Sequence, residues 1–251
     1  MSQGLTSATD MLKAAWAAFT KRWKFFVLLT IVAGIIPGIV FFIGGAIAAA
    51  VGLGSVAGGA GKIGVIIAGA LLLVAYIAAI YVSICFYAGL MLSVSNESIN
   101  TVRLAYNAGK PKAKDLFIVG LLAGIIIAIG FILLIVPGIY LSVCYAFAMW
   151  FCLLEGKKGM DALKDSKAMV TGRWMPVAIR LAVFAIAAWL VAAIPAGLFG
   201  AIRLPVLAAI WQGCVSLITG PIGVIYSYML YQNLKQNKVA APVTPVAPAQ
   251  A

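Results

Sequence analysis

The feature that most constrains this chain is a set of uncharged apolar runs. No charged residue occurs from Phe25 to Gly61 or from Leu116 to Leu154. A helix of about 20 apolar residues crosses the hydrocarbon core of a bilayer, so each run is long enough to cross at least once. Only 10% of the residues are charged, against about 25% in soluble domains. We therefore predict an integral membrane protein.

Breaks in the apolar runs divide the chain into six predicted spans. The glycine-rich stretch 52–61 and the pair Pro137-Gly138 are typical of turns between apolar segments. The chain ends in residues 239–251, which contain prolines among alanine and valine and favour a disordered tail. The predicted spans are residues 25–48, 63–94, 116–136, 139–154, 177–201 and 205–234, in a single membrane domain that covers 1–238.

Basic residues are distributed unequally between the two sides of the membrane that these spans imply. If the N-terminus is inside, every Lys and Arg except Lys62 and Arg203 lies in an inner segment. The positive-inside rule then places both termini in the cytoplasm. The same rule accounts for the net charge of +12 without a nucleic-acid partner.

A short polar segment precedes each predicted pair of spans. Residues 10–23 and 161–174 agree at seven of 14 positions, which indicates an internal repeat. In the first segment, Leu12, Trp16 and Phe19 fall on one helical face. The predicted fold is all-α, with six spans arranged as three hairpins that are each preceded by a cytoplasmic amphipathic helix. Such helices act as elbows that set the angle of the next span, which is our preferred interpretation, or they recruit anionic lipid.

The repeated Arg-Trp pair is typical of a membrane-interface anchor, because Trp rings and Arg head groups favour that depth. Arg180 follows six residues after the second pair and can extend to the same interface. The predicted interface or lipid contacts are Arg22, Trp23, Arg173, Trp174 and Arg180.

Glu155 closes the fourth predicted span and is the acidic residue of most interest. It can form a structural ion pair with Arg180, our preferred prediction, or with Arg173. Contact with a lipid headgroup or a substrate is the alternative.

Proline and glycine predict where the spans bend and where they touch. Glycines four residues apart, Gly34 with Gly38 and Gly120 with Gly124, favour close helix contacts. The predicted turn or kink residues are Pro37, Pro137, Gly138 and Pro195.

The residue inventory argues against catalysis. The chain has no histidine, which removes imidazole bases, proton relays and the common metal-binding helix motif. Its cysteines are dispersed through apolar segments without a CxxC motif, so we interpret them as buried apolar side chains; they are Cys85, Cys144, Cys152 and Cys214. We predict no catalytic residue, metal ligand or cofactor, and no enzyme activity.

Residues 131–174 form a block with a Pro-Gly turn, a span that closes on Glu-Gly, an Ala-Leu-x-x-Ser helix and a Gly-x-Trp motif. The residues of these motifs are Pro137, Gly138, Glu155, Gly156, Ala162, Leu163, Ser166, Gly172 and Trp174. The block resembles one that recurs in the membrane domain associated with glycerophosphoryl diester phosphodiesterases and in YciC-type bacterial inner-membrane proteins. The resemblance implies a polytopic helical domain of the bacterial inner membrane, without assigned catalytic residues. The soluble phosphodiesterase domain of that family needs His and Glu at its metal site, so no such activity is expected from this histidine-free chain.

Two functional classes follow. The first is a non-catalytic inner-membrane protein that organises lipid or partner proteins through its cytoplasmic amphipathic helices. Its partners would be membrane lipids, a second copy in a homo-oligomer, or another membrane protein. The second is a transporter or permease for a small solute or lipid, which the repeat and the Pro/Gly-broken spans favour. A polar, water-accessible cavity at the bilayer midplane would favour the transporter.

Overall fold

The structure, a computed structural model, describes residues 6–57, 61–201 and 203–239, and most of these residues lie in helices. Val239, the first residue of the predicted disordered tail, ends the last helix, and the rest of that tail lies outside the described residues. A single turn of 3-10 helix, Lys110–Lys112, joins the fourth helix to the fifth. The α-helices are α1 (Ala8–Lys21), α2 (Trp23–Ala57), α3 (Gly61–Ser95), α4 (Val102–Gly109), α5 (Ala113–Leu133), α6 (Ile135–Tyr145), α7 (Ala148–Glu155), α8 (Gly159–Val170), α9 (Trp174–Ala201) and α10 (Pro205–Val239).

Within the described residues, six helical segments are long and apolar enough to cross a membrane. They are α2, α3, α4 with α5, α6 with α7, α9 and α10. Five of the predicted spans fall inside one of these segments, whereas the third, 116–136, was predicted to end too late: its segment ends at Leu133, and residues 135–136 already belong to α6. This confirms the prediction of an all-α bundle of six membrane-spanning segments.

The first hairpin is longer than predicted. Helix α2 continues through Gly52 and Gly54 to Ala57, although glycine-rich residues 52–61 were expected to form a loop. Helix propensity is a weak prior that packing overrides, and Gly52 here lies against Ala68 of α3. At 1.5 Å per residue, a helix of 35 residues is about 52 Å long, which exceeds a hydrocarbon core of about 30 Å. Both α2 and α3 must therefore tilt or extend beyond the core.

The middle hairpin turns at Leu134, whose backbone is extended (φ −165°, ψ 152°) between α5 and α6. Pro137 and Gly138 come just after this turn, in the first turn of α6. Proline is tolerated there because the first N–H groups of a helix have no helical partner. Gly138 is buried against the ring of Phe131, so the absence of a side chain allows α6 to fold back onto α5.

Each short helix packs on the hairpin that precedes it in the chain. Helix α4 packs on α3, and α8 packs on α5, α6 and α7. Helix α1, the first helix of the described residues, packs instead on α10 and α9 of the last hairpin. Contacts of α10 with α2 and α3 join the last hairpin to the first. A role as an elbow for the following span would not predict this arrangement.

The buried core lies at the end of the bundle that holds the short helices. Its largest side chains include Phe147, Trp150, Tyr226 and Tyr231, from the α6–α7 region and from α10. The opposite halves of the spans expose large apolar side chains, for example Ile132 at 83%. Lipid tails solvate such side chains as well as protein does. Packing between hairpins is therefore concentrated at one end.

A close contact between α3 and α4 involves glycines that do not form a spaced motif. A side chain on Gly89 of α3 would overlap the main chain of Ala105, and one on Gly109 of α4 would overlap the main chain of Cys85. No atom lies within 4 Å of the Cβ position of Gly34, Gly38 or Gly124, and Gly120 meets only the end of the Met149 side chain. The glycine pairs chosen from their spacing are therefore not where the helix backbones meet.

Candidate functional site

Charged residues of the described chain, except Lys62 and Arg203, meet at one end of the bundle, which we call the charged end. Helices α2, α5 and α9 begin there, and α3, α7 and α10 end there. Ion pairs that are distant in sequence join these helix ends. The ion pairs among the described residues are Lys21–Glu97 (3.3 Å), Lys157–Asp165 (3.2 Å), Lys158–Asp115 (3.3 Å), Lys164–Asp161 (3.9 Å) and Lys235–Glu155 (2.8 Å).

Glu155 lies in an ion pair, but its cation is Lys235 rather than Arg180. The carboxylate also accepts a hydrogen bond of 2.6 Å from the hydroxyl of Tyr231. Arg180 donates instead to the main-chain carbonyls of Thr6 (2.8 and 2.9 Å) and Pro176 (2.9 Å). Glu155 thus joins the end of α7 to the end of α10, and Arg180 holds the segment before α1 on α9.

The equivalent arginines of the repeat bind the ends of helices. Arg22 donates to the main-chain carbonyls of Ser93 (3.0 Å) and Ile99, and its guanidinium lies 4.8 Å from the centre of the Phe25 ring. Arg173 donates to the carbonyl of Asn237 (3.1 Å). Carbonyls near a helix C-terminus lack helical donors and carry partial negative charge. Each arginine therefore contacts the returning helix of its own hairpin, or the residues that follow it, although both were predicted to contact lipid.

The two tryptophans of the repeat differ in their surroundings. Trp23 is 50% exposed, and the ammonium of Lys24 lies 5.9 Å from its ring. Trp174 is half-buried, stacks on Tyr140 and donates its indole N–H to the Tyr140 carbonyl (3.2 Å). Trp23 is therefore exposed at the start of α2, whereas Trp174 joins α9 to α6.

Proline residues predicted as kinks lie inside helices that the structure records as continuous. Pro37 is in the interior of α2, and Pro195 is in the interior of α9. Neither terminates its helix.

Ser166 is a buried polar residue whose role the sequence did not indicate. Its hydroxyl donates to the carbonyl of Cys144 (2.7 Å) and accepts from the N–H of Phe147 (3.2 Å). These groups lie at the break between α6 and α7, where the regular helical bonds are interrupted. Helix α8 therefore satisfies the backbone of the fourth span. The only indication in the sequence was that Ser166 belongs to residues 131–174, which resemble the phosphodiesterase-associated membrane domain.

A cavity of about 840 Å³ lies between α1, the end of α3 and the last third of α10. We call it the α1 cavity. Its inner wall is apolar and includes Met11, Phe26 and Met229. Polar side chains line the rest, among them Asp10, Lys21, Glu97, Gln232 and Gln236. The cavity is therefore at the charged end, not at the midpoint of the spans.

Side chains that could hold a metal do not cluster in the part of the chain that the structure describes. No group of three His, Cys, Asp or Glu residues there has suitable geometry. Cys85, Cys144 and Cys152 are buried, whereas Cys214 is exposed on α10, unlike the prediction for it. Cysteine is apolar enough to face lipid as well as a core.

Fold and charge distribution together define an integral membrane protein of the multi-pass, all-α class. No family model and no solved structure matches the chain. The resemblance of residues 131–174 to the phosphodiesterase-associated and YciC-type membrane domains stays a prediction.

Proposed function

We propose that the protein is a non-catalytic component of the bacterial inner membrane that organises anionic lipid around its charged end, with both termini in the cytoplasm. The observation that carries this proposal is a surplus of exposed cations at that end. Among the described residues, none of the following forms an ion pair with a carboxylate: Lys13, Lys24, Arg103, Lys110, Lys114 and Lys167.

These cations have no acidic partner because every acidic side chain already lies in an ion pair or accepts a hydrogen bond. Five of the six acidic residues are paired with lysine, and the sixth, Asp10, accepts a hydrogen bond from Ser7 at the start of α1. Each remaining cation near an anionic leaflet gains about 1 kcal/mol. Attraction to phosphate-bearing headgroups follows from this imbalance and needs no catalytic group.

The segment from Arg103 to Lys114 is the strongest candidate for this attraction. It carries Arg103, Lys110, Lys112 and Lys114 on α4, the 3-10 turn and the start of α5, and all but Lys112 are exposed. Asp115, the acid that follows, is paired with Lys158. The positive charge of this segment is therefore available to a membrane surface.

Besides the repeat and the Pro/Gly-broken spans, the transporter alternative is favoured by the α1 cavity, which is partly polar. A solute path would have to continue from it into the interior of the spans. No charged residue occurs between Arg180 and Arg203, or along α10 between Pro205 and Leu234. Ionisable residues inside spans are the usual markers of such a path, so the lipid proposal is preferred.

Lipid retention after reconstitution tests the proposal. The full chain is reconstituted in nanodiscs of equal parts phosphatidylglycerol and phosphatidylcholine, and the lipids that remain bound are counted by native mass spectrometry. We expect phosphatidylglycerol to be enriched, and replacement of Arg103, Lys110 and Lys114 by Gln to reduce the enrichment. Lys62→Gln, at the opposite end, is the matched control and should leave it unchanged. Equal retention of both lipids, or solute flux through the protein in liposomes, would overturn the proposal.

A further inference from the structure

A second hollow lies on the other side of α1, and we call it the α1 groove. It has a volume of about 440 Å³ and is almost entirely apolar. Leu12, Lys13 and Trp16 of α1 form its upper edge. Its walls come from α9 and α10 and include Phe184, Ala187, Ala188, Val191, Ile218 and Ile222.

The groove points from the charged end into the membrane-spanning part of the bundle. Helix α9 begins at Trp174, so at 1.5 Å per residue Phe184 and Val191 lie about 15 and 25 Å along it. The groove therefore follows α9 over about 10 Å. Its one hydroxyl inside a span, that of Thr219, already donates to the carbonyl of Val215 (2.9 Å). The groove walls therefore offer a polar solute no free side-chain donor, and their other lining side chains are apolar, which indicates an apolar occupant.

The upper edge of the groove carries a positive charge. Lys13 is exposed and has no carboxylate within ion-pair distance in the described part of the chain. Trp16, one turn further along α1, is 53% exposed. A cation and an amphipathic ring above an apolar groove match the order of groups in a phospholipid, whose phosphate stands above its acyl chains.

We propose that the α1 groove binds one acyl chain of an anionic phospholipid, with Lys13 contacting the headgroup phosphate. This inference rests on the proposed function and names the lipid class and the binding site for it. A helix from a second copy of the chain is the other candidate occupant. The surplus of positive charge at this end of both copies opposes that arrangement and favours an anion.

Two pairs of matched variants in the same nanodisc and mass-spectrometry experiment test the site. Ala188→Phe fills the groove, whereas Ala185→Phe adds the same ring to an exposed position of α9 that does not line it. Lys13→Gln removes the cation at the groove, whereas Lys24→Gln removes an exposed cation that lies over Trp23 instead. The two variants of a pair therefore add the same side-chain volume or remove the same charge.

We expect wild type to retain phosphatidylglycerol in preference to phosphatidylcholine. Lys13→Gln should reduce that preference about fivefold, which corresponds to one lysine near an anionic headgroup, and Lys24→Gln should reduce it less. Ala188→Phe should remove the last lipid that stays bound to the protein, whether phosphatidylglycerol or phosphatidylcholine. Ala185→Phe should leave that lipid bound. Because Lys13 is exposed, Lys13→Gln keeps the test decisive if Ala188→Phe does not fold.

The outcomes separate the site from the function. If wild type shows no preference for phosphatidylglycerol, both proposals fail. If wild type shows the preference but Lys13→Gln and Ala188→Phe match their controls, the groove is not the site and the proposed function stands. A dimer that Ala188→Phe dissociates, with no retained lipid, would assign the groove to a second copy and overturn the inference.

Discussion

The indole N–H of Trp211 on α10 donates a hydrogen bond of 3.2 Å to the main-chain carbonyl of Val191 on α9. Pro195 lies four residues after Val191 and has no N–H, so this carbonyl receives no donor from its own helix. A carbonyl without a partner in hydrocarbon costs several kcal/mol. Helix α10 thus supplies the donor that α9 lacks, and this explains how proline is accommodated inside a continuous span.

Replacing Trp211 by Phe should destabilise the last hairpin. The ring is largely preserved, but the Val191 carbonyl loses its donor, so we expect the free energy of unfolding to fall by about 1–2 kcal/mol. Trp189→Phe, at a 65% exposed position of α9, provides the control for loss of an indole and should have a smaller effect. Chemical unfolding of the purified protein in detergent measures the difference.

A double-mutant cycle isolates the role of the proline. Pro195→Ala restores an N–H four residues after Val191, so the carbonyl no longer depends on Trp211. The cost of Trp211→Phe should therefore be smaller in the Pro195→Ala background. The same cost in both backgrounds would show that the hydrogen bond to Val191 does not carry the effect.

The contact between α3 and α4 predicts opposite effects for glycine substitutions on the same helix. Gly89→Ala and Gly109→Ala place a methyl group against the facing main chain, which cannot yield as a flexible side chain can. We expect each to lower the free energy of unfolding by about 1–3 kcal/mol. Gly69→Ala, also on α3 but with no atom within 4 Å of the new methyl, should raise it by up to about 1 kcal/mol through helix propensity. Thermal unfolding followed by circular dichroism reports the sign of each change.

The features that the sequence predicted are those governed by the bilayer itself. Span number follows from charge-free runs, because hydrocarbon thickness sets the length that a helix needs. The gathering of charge at one end follows from the cost of placing Lys or Arg in hydrocarbon. Both features depend on composition along the chain rather than on which residues contact each other. A single sequence is therefore enough to predict them.

The features that the sequence did not predict depend on contacts between distant segments. Arg22 and Arg173 have the pattern of interface anchors, but helix C-termini within reach offer carbonyls that compete with lipid headgroups. The packing of α1 on the last hairpin brings residues near both ends of the chain together, as in the hydrogen bond between Thr6 and Asn233. The α1 cavity and the α1 groove exist only because of that packing, and no local pattern encodes either of them.

Ser166→Ala should weaken the junction between α6, α7 and α8. The substitution removes the hydroxyl that satisfies both the Cys144 carbonyl and the Phe147 N–H, and both groups are at buried residues. We expect a loss of about 1–3 kcal/mol in the free energy of unfolding.

The control for this loss is Ser142→Ala on α6. The Ser142 hydroxyl donates only within its own helix, to the carbonyl of Ile139 (2.8 Å). Its removal should therefore change the stability by a few tenths of a kcal/mol at most. If the two alanine variants unfold at the same denaturant concentration, Ser166 does not hold the helix break.

The geometry of Arg22 predicts that lysine cannot replace it. Its planar guanidinium donates to two carbonyls, those of Ser93 and Ile99, while it lies over the Phe25 ring. An ammonium group is a point charge without this fixed fork, so Arg22→Lys should retain the charge but lose about 1–2 kcal/mol of stability. Arg173 has one recorded carbonyl partner, Asn237, and a lysine can form such a single bond. Arg173→Lys should therefore unfold closer to wild type in the same denaturant series, and equal losses for the two variants would contradict the assignment of a bidentate role to Arg22.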